Sequence, residues 1–176
     1  MSINGASASK YPPEFEAAIA QVLADEGGFV QNSADPGGAT KFGISAREYP
    51  DLDIAQLTRD DAVAIYFRDW WRKYDFGRLP AALAAKTFDL AVNIGPGHAI
   101  TCLQRALRAA GHRVTEDGSI GAETATAAAA APEIAALAAL RSEAAGYYRA
   151  VAAITRGARD SDDQQFLTGW LNRAYE

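Results

Sequence analysis

Two carboxylates and a hydroxyl lie close together in a stretch with little to offer a core. Glu26, Asp35 and Thr40 fall within EGGFVQNSADPGGATKFGI, residues 26–44, and Asp35 follows Glu26 by nine positions (35 − 26). Two carboxyl groups set across one scissile bond are the equipment of glycoside hydrolysis, one protonating the leaving oxygen and the other acting as base or nucleophile. Thr40 supplies a hydroxyl able to hold a water. Glycines such as Gly27, Gly28 and Gly43 let a sugar ring come close to the backbone. Each residue also has a plainer reading. Glu26 could be a helix-end side chain facing water or an arginine, and Asp35, ahead of Pro36-Gly37-Gly38, could be an ordinary turn residue.

The elements that must position these groups can be read locally. Pro12-Pro13 opens a helix, because proline fits the first turn. Phe15, Ile19, Val22, Leu23 and Glu26 then stand at offsets 0, 4, 7, 8 and 11, one helical face. Glu26 thus ends an apolar stripe, at a helix C-terminus whose dipole opposes negative charge. Both effects favour the protonated acid, the form a general acid needs. Gly27 and Gly28 stop the helix. Asn32-Ser33 and Asp35-Pro36-Gly37-Gly38 mark turns, and Ala39 to Ile44 suits a short strand of a small hairpin. Ser45-Ala46-Arg47-Glu48 has the form of a capping box opening a short helix that Pro50 ends.

Downstream the pattern is helical throughout. Thr58 caps a helix with Ala62, Ile65, Tyr66 and Trp70 inward, and Trp71 and Tyr74 extend its aromatic cluster. A helix from about 80 to 93 carries Leu83, Phe88, Ala91 and Val92, and Gly95-Pro96-Gly97 breaks it. The next spans about 98–110 with Ile100, Leu103, Ala106 and Leu107 inward, closed by Gly111. A tight turn, Asp117-Gly118-Ser119-Ile120-Gly121, precedes a helix through the alanine run. A long helix runs from Pro132 to about Ile154, a polar link follows with solvated Asp160, Asp162 and Asp163, and a last helix holds Phe166, Leu167, Trp170 and Leu171. With Ala the best helix former, the expected fold is all-α or mostly α, with at most a small β hairpin at the site.

The aromatic cluster divides between two roles. A helical aromatic stripe usually belongs to a core, yet adjacent tryptophans cannot face the same way, so one of Trp70 and Trp71 should edge a groove where a sugar can stack. Asp89 and Asn93, four apart on an apolar helix, either line a cleft or cap loop backbone. His98 and His112 lack ligand spacing, so no metal site is expected. Cys102, the single cysteine, reads as a core residue and rules out an intrachain disulfide. In 176 residues, apolar types make up 49% and charged types 22%, which suits one soluble globular unit. A net charge of −5 argues against nucleic acid as main partner. The first residues do not read as a Sec signal and no run is long enough to span a membrane.

EGGF-x5-DPGGATKFGIS resembles the signature of the glycoside hydrolase family 108 N-acetylmuramidases: Glu-Gly-Gly-aromatic, Asp-x-Gly-Gly-x-Thr, then aromatic-Gly-Ile. AIYFRDWW is similar to that family's Tyr-x-x-x-Tyr-Trp helix, with Trp70 at the usual Tyr position. FDLAVNIGPGHAITCLQRAL, DGSIGAETATA and FLTGWLNR resemble the peptidoglycan domain that follows in such proteins. The resemblance covers about residues 14–175. It implies a lysozyme-like α fold, with a catalytic region over 12–94 and a helical peptidoglycan region over 95–176 packed as one unit. It further implies cleavage of the β-1,4 bond between N-acetylmuramic acid and N-acetylglucosamine, with Glu26 as catalytic acid. Asp35 and Thr40 would position water by analogy with phage-type lysozymes, although the Asp-to-Thr gap is one residue shorter here. Gly27, Gly28, Gly43, Tyr66, Trp70, Trp71 and Asn93 are expected to contact substrate, with no cofactor. The expected setting is a monomeric endolysin-like enzyme, made in the cytoplasm and released to the wall by a holin or a dedicated route. A lytic transglycosylase and a non-catalytic wall-binding component are the alternatives.

Overall fold

A computed structural model of the chain describes residues 10–25, 30–31, 39–156 and 163–175. Helix α1 spans Pro13–Asp25, and Phe15, Ile19 and Val22 of its apolar stripe are buried. Three short strands follow: β1 (Val30–Gln31), β2 (Ala39–Lys41) and β3 (Ile44–Ser45). They form an antiparallel ribbon in the order β1-β2-β3, with Val30 opposite Thr40 and Thr40 opposite Ser45. Ser45 does not open a helix. Glu48 N–H donates to Ser45 Oγ at 3.3 Å and Tyr49 N–H to the Ser45 carbonyl at 3.0 Å, giving a single turn. Ser45 is committed to the ribbon on one side and Pro50 blocks continuation on the other.

Helix α2 (Arg59–Ile65) begins at a complete capping box. Asp61 N–H donates to Thr58 Oγ1 while the Asp61 carboxylate accepts from Thr58 N–H, so two otherwise orphaned donors are satisfied. The chain then widens into a π-helical segment, Tyr66–Arg72, followed by a 3₁₀ turn at Phe76–Arg78. Helices α3 (Ala81–Ile94) and α4 (Pro96–Ala109) meet at Gly95, whose φ of +84° suits glycine, and Pro96 takes the first position of α4. Helices α5 (Ala122–Ala130), α6 (Glu133–Arg156) and α7 (Asp163–Tyr175) complete the fold, which is mostly α with one small ribbon.

One contiguous core joins the elements. Phe15 of α1, Leu83 and Phe88 of α3, Leu103 and Leu107 of α4 and Leu140 of α6 all belong to it. Each such side chain contributes about 1.5–3 kcal/mol on burial. Helix α3 is the hub, with α1, α4 and α6 packed on it, while α7 lies on α6. The rim of α3 is polar. Asp89 accepts from Lys86 Nζ at 3.3 Å and from Arg173 Nη2 of α7 at 2.9 Å, and Lys86 Nζ also donates to the Arg173 carbonyl. Asn93 Oδ1 accepts from Tyr148 of α6 at 2.7 Å.

Candidate functional site

The ribbon and the π-helical segment form one structural corner. Strands β2 and β3 are joined by a two-residue turn, Phe42-Gly43, with φ of +53° and +76°. Positive φ at both positions is the signature of a tight primed turn, and it explains Gly43; Phe42 holds a left-handed conformation that non-glycine residues seldom adopt. Tyr66 holds it in place, its hydroxyl donating to the Phe42 carbonyl at 3.1 Å. Lys41 Nζ donates to the Ala55 carbonyl at 2.9 Å and fastens the same strand to the segment before α2.

The π-helical turn sorts the aromatics. Trp71 is 3% exposed and packs edge-on against Phe15 and Phe88 at 5.3 and 5.4 Å. Tyr66 is 1% exposed and lies against Phe88 at 6.1 Å. In the structure Tyr66 serves as a tether and Trp71 as a core anchor whose edge lines a cavity of about 420 Å³ with Phe67 and Arg78. Trp70 is half-buried, with Tyr66 and Tyr74 tilted against it at 6.1 and 6.4 Å. It is the more exposed of the adjacent pair.

Tyr49 stands beside Asp69, its hydroxyl donating to Asp69 Oδ2 at 3.1 Å. Asp69 in turn accepts two bonds from Arg68, both at 2.6 Å. Burial, helped by the Asp69 carboxylate, pushes the Tyr49 phenol up to about 12. The Arg68 guanidinium holds the Asp69 carboxyl below its ordinary value. No sequence pattern announced Tyr49; only its aromatic type, near a turn, offered a signal.

Of the remaining expected site residues, Thr40 and Asn93 are among the described ones. Thr40 lies half-buried on β2, directly across from Val30. Glu26, Gly27, Gly28 and Asp35 lie outside the described residues, at chain positions that adjoin α1 and the β1–β2 pair. Asn93 is exposed on the last turn of α3, beyond the ion pairs of Asp89, and its side-chain oxygen is engaged by Tyr148. Asp89 does line a cavity of about 460 Å³ between α1, α3 and α6, with Gln21 and Arg141 on its other walls. Its carboxylate is already bound by Lys86 and Arg173, so its observed work is joining helices.

An α-helical body with a small ribbon at the end of its first helix, edged by aromatics, fits a glycoside hydrolase. The comparisons place it more closely. Residues 19–95 match the family model described as Glycosyl hydrolase 108, and residues 98–175 match the Predicted Peptidoglycan domain. The first match covers 77 of the 176 residues (95 − 19 + 1), and the two together support a glycoside hydrolase that acts on peptidoglycan. The structure of Brucella abortus SagA is similar, with a TM-score of 0.67 and 27% sequence identity over 91% of this chain and 92% of that one. No curated protein matches the chain.

Proposed function

We propose that the protein is an N-acetylmuramidase that hydrolyses the β-1,4 bond between N-acetylmuramic acid and N-acetylglucosamine in peptidoglycan. Glu26 is the general acid. The observation that carries this reading is the course of α1: its buried stripe runs to the last turn, the helix ends at Asp25, and Glu26 is the next residue. A carboxyl following an apolar face at a helix C-terminus is favoured in its protonated form, ready to give a proton to the leaving oxygen.

Asp35 acts as base or as the carboxylate that stabilises the oxocarbenium-like transition state, and Thr40 helps hold the attacking water. Support for Thr40 comes from register: in an antiparallel pair, directly opposed residues share a face, and its partner Val30 is four positions from Glu26. Gly27, Gly28 and Gly43 admit the glycan close to the backbone, Trp70 offers a stacking surface and Asn93 a polar contact. Residues 12–94 form the catalytic region and 95–176 a helical region folded onto it, in a monomer. Release to the wall by a holin or a dedicated route belongs to the same reading.

The test is Glu26→Gln on purified peptidoglycan, with the products analysed by mass spectrometry. The expected loss is about 10²–10⁴-fold or more, the usual contribution of a general acid. Activity within a few-fold of wild type would remove the acid role. Products with 1,6-anhydro-muramic ends would replace hydrolysis by transglycosylation, and a freed N-acetylglucosamine reducing end would move the cleaved bond.

A further inference from the structure

We infer that the cavity beside the first turn of α1 binds a peptide stem of peptidoglycan: the Trp71 indole N–H holds a peptide carbonyl, with Arg72 and Glu14 on either side for a carboxylate and an ammonium. This rests on peptidoglycan as the substrate, but not on which bond is cut or on the role of Glu26.

The cavity holds about 420 Å³, and Trp71, Gly77, Phe67, Arg72 and Glu14 stand in its wall. Trp71 is 3% exposed, and its ring is locked by Phe15, Phe88 and Phe76 at 5.3, 5.4 and 6.0 Å. It cannot turn to seek an acceptor elsewhere. Its nitrogen is a donor only, and no acceptor for it stands among the described residues. A buried indole N–H usually has a partner. The space beside it is kept open by Gly77, where a Cβ would lie 3.2 Å from Trp71 Nε1. Gly77 sits in the 3₁₀ turn without a positive φ, so the backbone does not require glycine there. What the missing side chain provides is room at the N–H, on the cavity side.

Four charged groups line the same cavity. Arg78 and Asp75 face each other at 3.9 Å, and Arg78 also donates to the Ile120 carbonyl at 3.2 Å. The Arg72 and Glu14 side chains have no such partner among the described residues. The site therefore offers one N–H donor, one cation and one carboxylate around an aromatic edge. Neutral N-acetylated sugars could use only the first. A wall peptide brings an amide carbonyl, a free carboxylate and the ammonium of a diamino acid, one group for each. Helix α1 rises about 20 Å over its 13 residues, and Glu26 follows its far end. The contact is thus remote from the cleaved bond and acts on affinity.

The tripeptide L-alanyl-γ-D-glutamyl-L-lysine serves as the probe, its binding to the whole protein read by calorimetry. Wild type should bind it. Gly77→Ala, which sets a methyl group against the indole N–H, should weaken binding by about tenfold or more. Arg72→Gln and Glu14→Gln should each weaken it by about three- to tenfold, the worth of one polar contact, with Tm unchanged. All three should raise KM on peptide-bearing strands by similar factors. KM on glycan strands stripped of peptide, and kcat on both substrates, should stay at wild-type values. A tripeptide that wild type does not bind, or that the three variants bind equally well, overturns the proposal. So does a KM that rises alike on both kinds of strand. Loss of chitotetraose affinity in Gly77→Ala would make the cavity a saccharide site and overturn it as well. Glu26→Gln should bind the tripeptide as wild type does, so failure of the acid assignment shows up separately.

Discussion

The Tyr66 hydroxyl donates to the Phe42 carbonyl across 3.1 Å, joining a π-helical residue to a turn 24 positions earlier in the chain. Phe42 is held at φ +53°, a conformation that costs a non-glycine residue roughly 1–3 kcal/mol. The tether helps offset that cost, and removing it leaves a carbonyl without its partner. Tyr66→Phe should therefore lower stability by about 1–2 kcal/mol. For a chain of this size, that is a drop in Tm of roughly 2–8 °C. Activity should fall through a loosened turn, with KM rising more than kcat falls. If activity collapses while Tm holds, Tyr66 contacts substrate after all.

Asp89 joins two helices, α3 and α7. It is 7% exposed and faces Lys86, 8% exposed, within α3 and Arg173 on α7. Burial already lowers the pKa of Lys86, and Asp89 is what keeps it charged. Asp89→Ala leaves a buried ammonium and a guanidinium facing a gap. The expected loss is about 3–5 kcal/mol, the usual result of removing one partner of a buried pair. Hydrogen exchange should show α7 losing protection before α3 or α4. A double variant, Lys86→Met with Asp89→Leu, should recover much of the loss, since no charge is then left buried. Uniform loss of protection in all helices would contradict the role of Asp89 as the α3–α7 joint.

Much of this was legible in the sequence, for reasons that differ by element. The stripe of Phe15, Ile19, Val22 and Leu23 follows the helical period, and periodicity reports burial directly. The Thr58 cap and the break at Gly95 are local chemistry and survive in any context. Ser45 carried an equally good capping signal but formed only one turn, because ribbon pairing is a tertiary choice that propensity cannot see. The π-helical turn was invisible for the same reason: a 3.6 period puts Tyr66 and Trp70 on one face, and only the packing of Trp71 against Phe15 and Phe88 explains the widening. Of the candidate site, residue types and spacing name Glu26 and Asp35, which lie outside the described residues, and Trp70. They do not point to the bond from Tyr49 to Asp69, whose partners are 20 positions apart.

Gly118 has no freedom to vary. Its φ is +70°, and a Cβ there would lie 3.2 Å from the Gly97 carbonyl oxygen, a backbone atom that cannot swing aside. Its N–H donates to Gln104 Oε1 at 3.0 Å, and the Gln104 amide nitrogen donates to Asp117 at 2.7 Å and to the Ser119 carbonyl at 3.0 Å. Gln104 is fully buried, so this turn is what satisfies it. Gly118→Ala should cost roughly 1–3 kcal/mol from the left-handed backbone alone. Gly121, with open space around its Cβ position and φ of −81°, is the control: Gly121→Ala should change stability far less. Equal effects in chemical denaturation would show that the turn is not strained.

Alkaline pH should unfold the protein through groups buried in their neutral form. Burial raises the Cys102 thiol from its ordinary 9.0 to about 11, and burial with the Asp69 bond raises Tyr49 from 10.0 to about 12. Tyr148 is also raised by burial. In each case the folded pKa exceeds the unfolded one, so above pH 9 the unfolded chain releases protons that the native state retains. Stability contributed by these groups is complete below the unfolded pKa and is lost as pH rises through the folded value. Lys86 acts in the opposite sense: its folded pKa is lowered, so it favours the native state as pH rises toward 10.5. Burial also raises Tyr147, and these four raised acids against one lowered base give a net decline between about pH 9 and 12. Urea midpoints measured across that range should fall steadily. Cys102→Ala should reduce the slope between pH 9 and 11 whatever it does to the absolute midpoint, because the thiol titrates in that interval. A slope unchanged by the substitution would assign the alkaline loss to the tyrosines alone.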